Sequence, residues 1–132
     1  MPTRRQGKGI HAIYEHLVIQ DIRDAADVLR SVYQHTDGGD GYVSLEVSPH
    51  LAFDTKATIN EAARLWNDVA RPNVMIKVPG TPEGLPAIEY LLGEGINVNI
   101  TLLFSVQIYK HVAKAYIKGV SKYVANGGNP GK

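Results

Sequence analysis

Three short stretches of alternating residues, separated by segments of helical spacing, constrain this chain more than any other feature. Over residues 42–48, Val43, Leu45 and Val47 alternate with Ser44, Glu46 and Ser48. Over 74–78, Val74, Ile76 and Val78 alternate with Met75 and Lys77. Over 96–103, Val98, Ile100 and Leu102 alternate with Asn97, Asn99 and Thr101. A period of two is the signature of a strand. The intervening segments are long enough for crossover helices, so the order α-β-α-β-α-β-α predicts an α/β fold with parallel strands.

The helical segments carry their own start and stop signals. Ile13, Leu17, Ile22, Ala25, Ala26, Leu29 and Val32 recur at helical spacing over residues 11–36, as one long helix or two joined near Gln20-Asp21. Asp37-Gly38-Gly39-Asp40-Gly41 breaks that pattern as a loop. Thr58-Ile59-Asn60-Glu61 fits a capping box that opens a second helix, and Arg71-Pro72 stops it. Thr81-Pro82 supplies an N-cap and a proline for a third helix, which Gly93 and Gly95 end. Ser105 caps a last helix with Ile108, Val112, Ala115, Tyr116 and Val120 along one face. Trp66, Tyr90, Tyr109 and Tyr116 fall at helical positions and are expected to pack. The ends, residues 1–10 and 125–132, read as a disordered stretch and a loop of one partial domain.

Parallel strands covered on both sides usually read as continuous apolar runs, and these do not. One face of the expected sheet is aliphatic and suits packing under helices. The other collects a carboxylate, an amine, amides and hydroxyls. In an open two-layer sheet such a face could simply be wet, but parallel sheets are almost always covered on both faces. In a closed (β/α) barrel, residues near the C-terminal ends of the strands form the active site. Glu46, Lys77 and Thr101 would then converge.

Lys77 carries the chemistry of that cluster. It lies in Asn73-Val74-Met75-Ile76-Lys77-Val78-Pro79, bounded by Pro72 and Pro79. Lysine is almost never fully buried without a reason. Desolvation disfavours the charged form, and a neutral amine is a nucleophile. Taken alone, a strand-end lysine that snorkels to water is the simpler reading. The neighbouring Glu46 and Thr101 favour the catalytic one over a structural ion pair, since such a cluster can hold a reacting water.

The same strands resemble consecutive motifs of the transaldolase family. The resemblance rests on Tyr42-Val43-Ser44-Leu45-Glu46-Val47-Ser48-Pro49, then Arg71-Pro72-Asn73-Val74-Met75-Ile76-Lys77-Val78-Pro79-Gly80-Thr81, then Gly95-Ile96-Asn97-Val98-Asn99-Ile100-Thr101-Leu102-Leu103-Phe104-Ser105. It extends to Tyr14-Glu15 and Asp21-Ile22-Arg23 in the first helix, and the Lys77–Asn99 interval of 22 residues suits consecutive strands. It implies a segment of a (β/α)₈ barrel and a cofactor-free aldol mechanism through a lysine Schiff base. Lys77 matches the Schiff-base lysine. Glu46 and Thr101 match the residues that hold a proton-shuttling water. Asn99 matches an amide that binds substrate hydroxyls.

The implied substrates are sugar phosphates: a dihydroxyacetone unit passes from sedoheptulose 7-phosphate or fructose 6-phosphate to an aldose phosphate, in the pentose phosphate pathway. An aldolase of the same family, which releases the three-carbon unit, is the neighbouring possibility. Gly80 stands where the family motif often has alanine.

A complete barrel takes about 250 residues, and this chain has 132 with three strands legible. The resemblance puts an acid/base aspartate and a Thr-Ser-Asn-Pro segment before Met1, and a phosphate-gripping serine and arginine after Lys132. Asp21, Asp37 and Asp40 precede the strand of Glu46 and do not substitute for that aspartate. The expectation is the middle of a transaldolase, with negligible activity alone. The competing reading is a non-catalytic piece, or a segment that self-associates or joins complementary barrel segments.

Composition narrows the remaining classes. A 44% hydrophobic fraction is enough for one core, and a net charge of +1 gives no field for nucleic acid. Without cysteine there is no disulfide framework or thiolate metal site. His11, His16, His35, His50 and His111 have no metal-ligand spacing. Gly38-Gly39-Asp40-Gly41 lacks the Lys-Ser/Thr of a phosphate loop and reads as a turn, and Gly80-Thr81-Pro82-Glu83-Gly84 reads as a helix cap. No apolar stretch follows the basic start, and no run reaches the roughly 18 residues of a membrane span, so a cytoplasmic location is expected.

Overall fold

The computed structural model describes residues 9–131. Three strands, β1 (Val43–Glu46), β2 (Val74–Pro79) and β3 (Val98–Thr101), form a parallel sheet in the order β1-β2-β3. The helices are α1 (Ile10–Val28), α2 (Arg30–His35), α3 (Thr55–Val69), α4 (Gly84–Gly93) and α5 (Val106–Ala125), with a 3-10 turn at Pro49–Leu51. The expected α/β order with parallel strands is therefore present. The stretch expected to be disordered lies largely outside the described residues, but Ile10 already belongs to α1.

The aliphatic face of the sheet is the core. Val74, Ile76 and Val78 are fully buried, and Leu45, Val47 and Ile96 nearly so. Ala62, Leu65 and Val69 from α3 and Ile88 and Leu91 from α4 pack on them, with Ala115 from α5. Burying a side chain such as Ile88 or Leu91 contributes about 2 kcal/mol. From α1, Val18, Ile19 and Ile22 reach the same cluster.

Several boundaries differ from the sequence reading, each for a local reason. The first helical segment passes through Gln20-Asp21 without a break and divides at Leu29 instead. Leu17 and Val32, expected on its apolar face, are exposed. Helix α3 starts at Thr55, because the Asp54 carboxylate accepts the Ala57 N–H at 2.9 Å as a true N-cap. Thr58, expected as that cap, is buried one turn into the helix and donates its hydroxyl to the Leu51 carbonyl at 2.9 Å.

Strand β3 stops at Thr101; Leu102 adopts φ +63° and is exposed rather than facing the core. Ser105 does cap α5, accepting the Ile108 N–H at 3.1 Å. Tyr90, Tyr109 and Tyr116, expected to pack, are about half exposed.

Buried Asn73 locks the lower end of the sheet. Its Nδ2 donates to the Ala26 carbonyl at 2.8 Å and to the Gly41 carbonyl at 2.9 Å. One side chain thereby joins α1, the turn before β1 and the start of β2. Outside, Asp27 forms a two-point ion pair with Arg71 at 2.6 and 2.9 Å, which holds its carboxyl below the usual carboxylate range.

Helices α4 and α5 approach so closely that Gly119 is sterically required. A Cβ there would lie 2.7 Å from both the Glu89 carbonyl oxygen and the Leu92 Cβ. Alongside, Glu89 takes ion pairs from Lys118 at 3.9 Å and from Lys122, whose hydrogen bond draws its carboxyl below the ordinary value. Gly119→Ala should therefore destabilise the fold. Alanine gains roughly 1 kcal/mol of helix propensity, but overpacking against fixed backbone costs about 1–3 kcal/mol and requires the helices to part. Urea unfolding followed by circular dichroism reads the difference; an unchanged or raised midpoint would show that the contact yields freely.

Candidate functional site

Backbone pairing assembles the polar face. Glu46 pairs with Lys77 across β1 and β2, and Lys77 pairs with Asn99 across β2 and β3. Paired residues in a parallel sheet project to the same side, so carboxylate, amine and amide stand in one row. Glu46 Oε2 lies 3.7 Å from Lys77 Nζ. Thr101 pairs with Pro79, one step further along the same face of β3.

A second row is displaced from the first. Asn99 Nδ2 donates to Ser44 Oγ at 2.9 Å. By backbone register Asn99 belongs beside Glu46, and Ser44 lies two residues earlier on β1. The bond thus crosses two strands with a stagger of two residues, or one residue per strand. That is the stagger of a closed eight-stranded barrel with a shear of about eight, whose inner layers take side chains from alternate strands. The same offset sets Thr101 level with Glu46. Lys77, on the intervening strand, falls between the Ser44–Asn99 layer and the Glu46–Thr101 layer. The sequence reading placed Ser44 on the polar face without assigning it to the site.

The rim beyond the strands is cross-tied. The Thr81 hydroxyl donates to the Ala52 carbonyl and the Thr55 hydroxyl to the Glu83 carbonyl, each at 2.6 Å. The loops that follow β1 and β2 are thereby latched to each other. Thr81 also accepts the Gly84 N–H at 3.0 Å in the turn that leads into α4, but the helix itself starts at Gly84 with Glu83 at its N-cap position, so Thr81 and Pro82 precede it rather than cap it as expected. Gly80 is buried, its N–H bonded to the Thr101 carbonyl at 2.8 Å, and an added Cβ would lie 3.0 Å from that oxygen. An alanine there would press on the backbone of Thr101.

Water reaches the row. The side chains of Lys77 and Glu46 are 34% and 55% exposed in this open three-stranded sheet. A cleft of about 670 Å³ lies elsewhere. It runs between α1, α3 and the free edge of β1, is lined by apolar residues such as Tyr14, Val18, Leu45 and Leu65, and meets the polar row only at Glu46. No group of acidic or histidine side chains among the described residues is arranged to hold a metal ion, and no helix there is long and apolar enough to cross a membrane.

Comparison with known proteins gives the family. The model of the transaldolase/fructose-6-phosphate aldolase family matches residues 2–126. The chain belongs to that family. It is 55% identical over 123 residues to transaldolase 2 of Nostoc sp. strain PCC 7120, covering 93% of this chain and 32% of that protein. It is 53% identical over 124 residues to the transaldolase of Thiobacillus denitrificans, covering 94% of this chain and 34% of that one. The match to the Mycobacterium bovis transaldolase is 48% over 117 residues, 89% of this chain and 31% of that protein. The chain thus spans about a third of the length of these relatives. The family fold is a (β/α)₈ barrel, and β1–β3 with their helices are a segment of it.

Proposed function

We propose that this chain contributes the Schiff-base segment of a transaldolase. The observation that carries the reading is the Glu46–Lys77–Asn99 row on the polar face of a sheet with barrel stagger. Lys77 attacks the carbonyl carbon of a ketose phosphate and, after loss of water, forms an iminium. The iminium accepts the electron pair of the C3–C4 bond as the proton leaves the C4 hydroxyl and an aldose phosphate departs. The remaining dihydroxyacetone unit, held as an enamine, adds to a second aldose phosphate; hydrolysis then frees Lys77. No cofactor enters this sequence.

Glu46 and Thr101, level with each other on either side of the Lys77 strand, hold the water that moves protons during formation and loss of the carbinolamine. Asn99 binds hydroxyls of the three-carbon unit. The relatives' names favour transfer over simple release, and the pentose phosphate pathway is where such substrates exchange carbon. Charged sugar phosphates do not cross membranes unaided, which favours the cytoplasm.

The reading is tested in a closed barrel, made by replacing the matched segment of the Thiobacillus denitrificans transaldolase with this chain. Borohydride reduction in the presence of fructose 6-phosphate should attach the three-carbon unit to Lys77, located by peptide mapping. A label on Lys110 or Lys114 instead would sink the assignment.

In the same barrel, Glu46→Gln should lower kcat by about 10²–10⁴-fold, the usual contribution of a general acid or base. An unchanged kcat with a raised KM would make Glu46 a binding residue.

The 132-residue chain by itself should have negligible transaldolase activity. Three strands leave both sheet edges open and the amine in contact with water, so neither a dry site nor a full set of substrate contacts is available. Transfer from fructose 6-phosphate to erythrose 4-phosphate is the assay. Turnover near that of an intact relative would show that the chain rebuilds the site by self-association.

A further inference from the structure

We infer that Ser44 is a positioning residue, which fixes the amide plane of Asn99 for recognition of the three-carbon unit. This rests on the transaldolase reading above and extends it to a residue outside the expected set of Lys77, Glu46, Thr101 and Asn99.

An asparagine side chain ends in a broad, nearly two-fold torsion, and its oxygen and nitrogen are close in size. Left free, Asn99 would sample several planes and would have to be ordered each time substrate bound. The 2.9 Å bond to Ser44 Oγ commits one N–H and so ties down one end of the amide. The carbonyl oxygen and the second N–H remain uncommitted among the described residues. Asn99 stands in register beside Lys77, so those two groups are the ones available to a molecule attached to the amine.

The tether is itself well anchored. Ser44 occupies the middle of β1, paired with Met75 on β2. Below it, Asn97 Nδ2 donates to the Pro72 and Val74 carbonyls, each at 3.1 Å, and joins β3 to the start of β2. The amide of Asn99 is thus set by an element on the far side of the nucleophile's strand, and pre-organisation of this kind raises the fraction of bound substrate in a reactive pose.

The test is a double-mutant cycle in the closed barrel described above, with fructose 6-phosphate as donor. Ser44→Ala should lower kcat/KM about tenfold, the scale of losing one hydrogen bond that orients a binding group. In an Asn99→Ala background the same change should have little effect, because the group it positions is gone. Equal losses in both backgrounds, or no loss with Asn99 present, would overturn the role of Ser44.

If Ser44→Ala does not fold, Ser44→Thr and Ser44→Val form a shape-matched pair that differs in the hydroxyl. Thr should exceed Val about tenfold only when Asn99 is present, and equality there would overturn the proposal. Borohydride trapping at Lys77 is measured in the parent barrel and each variant. Adducts with additive costs reject Ser44 alone; no adduct in the parent rejects the aldol reading, and Ser44's role with it.

Discussion

Everything at the candidate site depends on the backbone register of β2 between its two neighbours. A parallel ladder fixes residue against residue, and a slip of one position turns every side chain to the opposite face. Such a slip is prevented here by the core, since Val74, Ile76 and Val78 are fully buried and could not be exchanged for Met75 and Lys77. Asn73 adds a second lock, because its two hydrogen bonds hold the start of β2 against α1 and the turn before β1. The placement of Lys77 beside Glu46 and Asn99 is thus a consequence of hydrophobic burial on the other side of the same strand.

The polar face contributes little to stability. A Lys77–Glu46 pair at 3.7 Å, with both side chains in contact with water, is worth at most about 1 kcal/mol. Its value lies in what the same charges would do when water is excluded, where they interact far more strongly. The rim beyond the pair is cross-tied. Thr55 and Thr81 latch the loops after β1 and β2 to each other by reciprocal hydrogen bonds.

The fold was legible where local signals agreed with tertiary demands. Period-two alternation located all three strands, and Ser105 and Arg71-Pro72 marked helix ends as expected. The misreadings arose where two local signals competed. Asp54 and Thr58 both resemble helix caps, and only the demand of the Leu51 carbonyl for a donor turned Thr58 inward. Leu102 kept the alternation of β3 in sequence but not in space, because the chain turns to φ +63° immediately after Thr101. Tyr109 and Tyr116 have core-like spacing on α5 but face outward, since the residues that meet α4 and the sheet are Val112, Ala115 and Gly119.

The site was half legible for a deeper reason. Residue types and alternation identify which side chains share a face, and they put Lys77, Glu46, Asn99 and Thr101 on the same one. They carry no information about how far one strand is offset from the next. The Ser44–Asn99 contact exists only because two strands are crossed with a stagger of two residues, a property of sheet tilt rather than of any local sequence. The same offset sets Glu46 level with Thr101 on opposite sides of the lysine strand. The ladder row Glu46–Lys77–Asn99 would be level in a flat, unstaggered sheet; here the same row runs obliquely, so that Asn99 meets Ser44. Strand tilt therefore divides the polar face into a Ser44–Asn99 layer and a Glu46–Thr101 layer, with the amine of Lys77 between them.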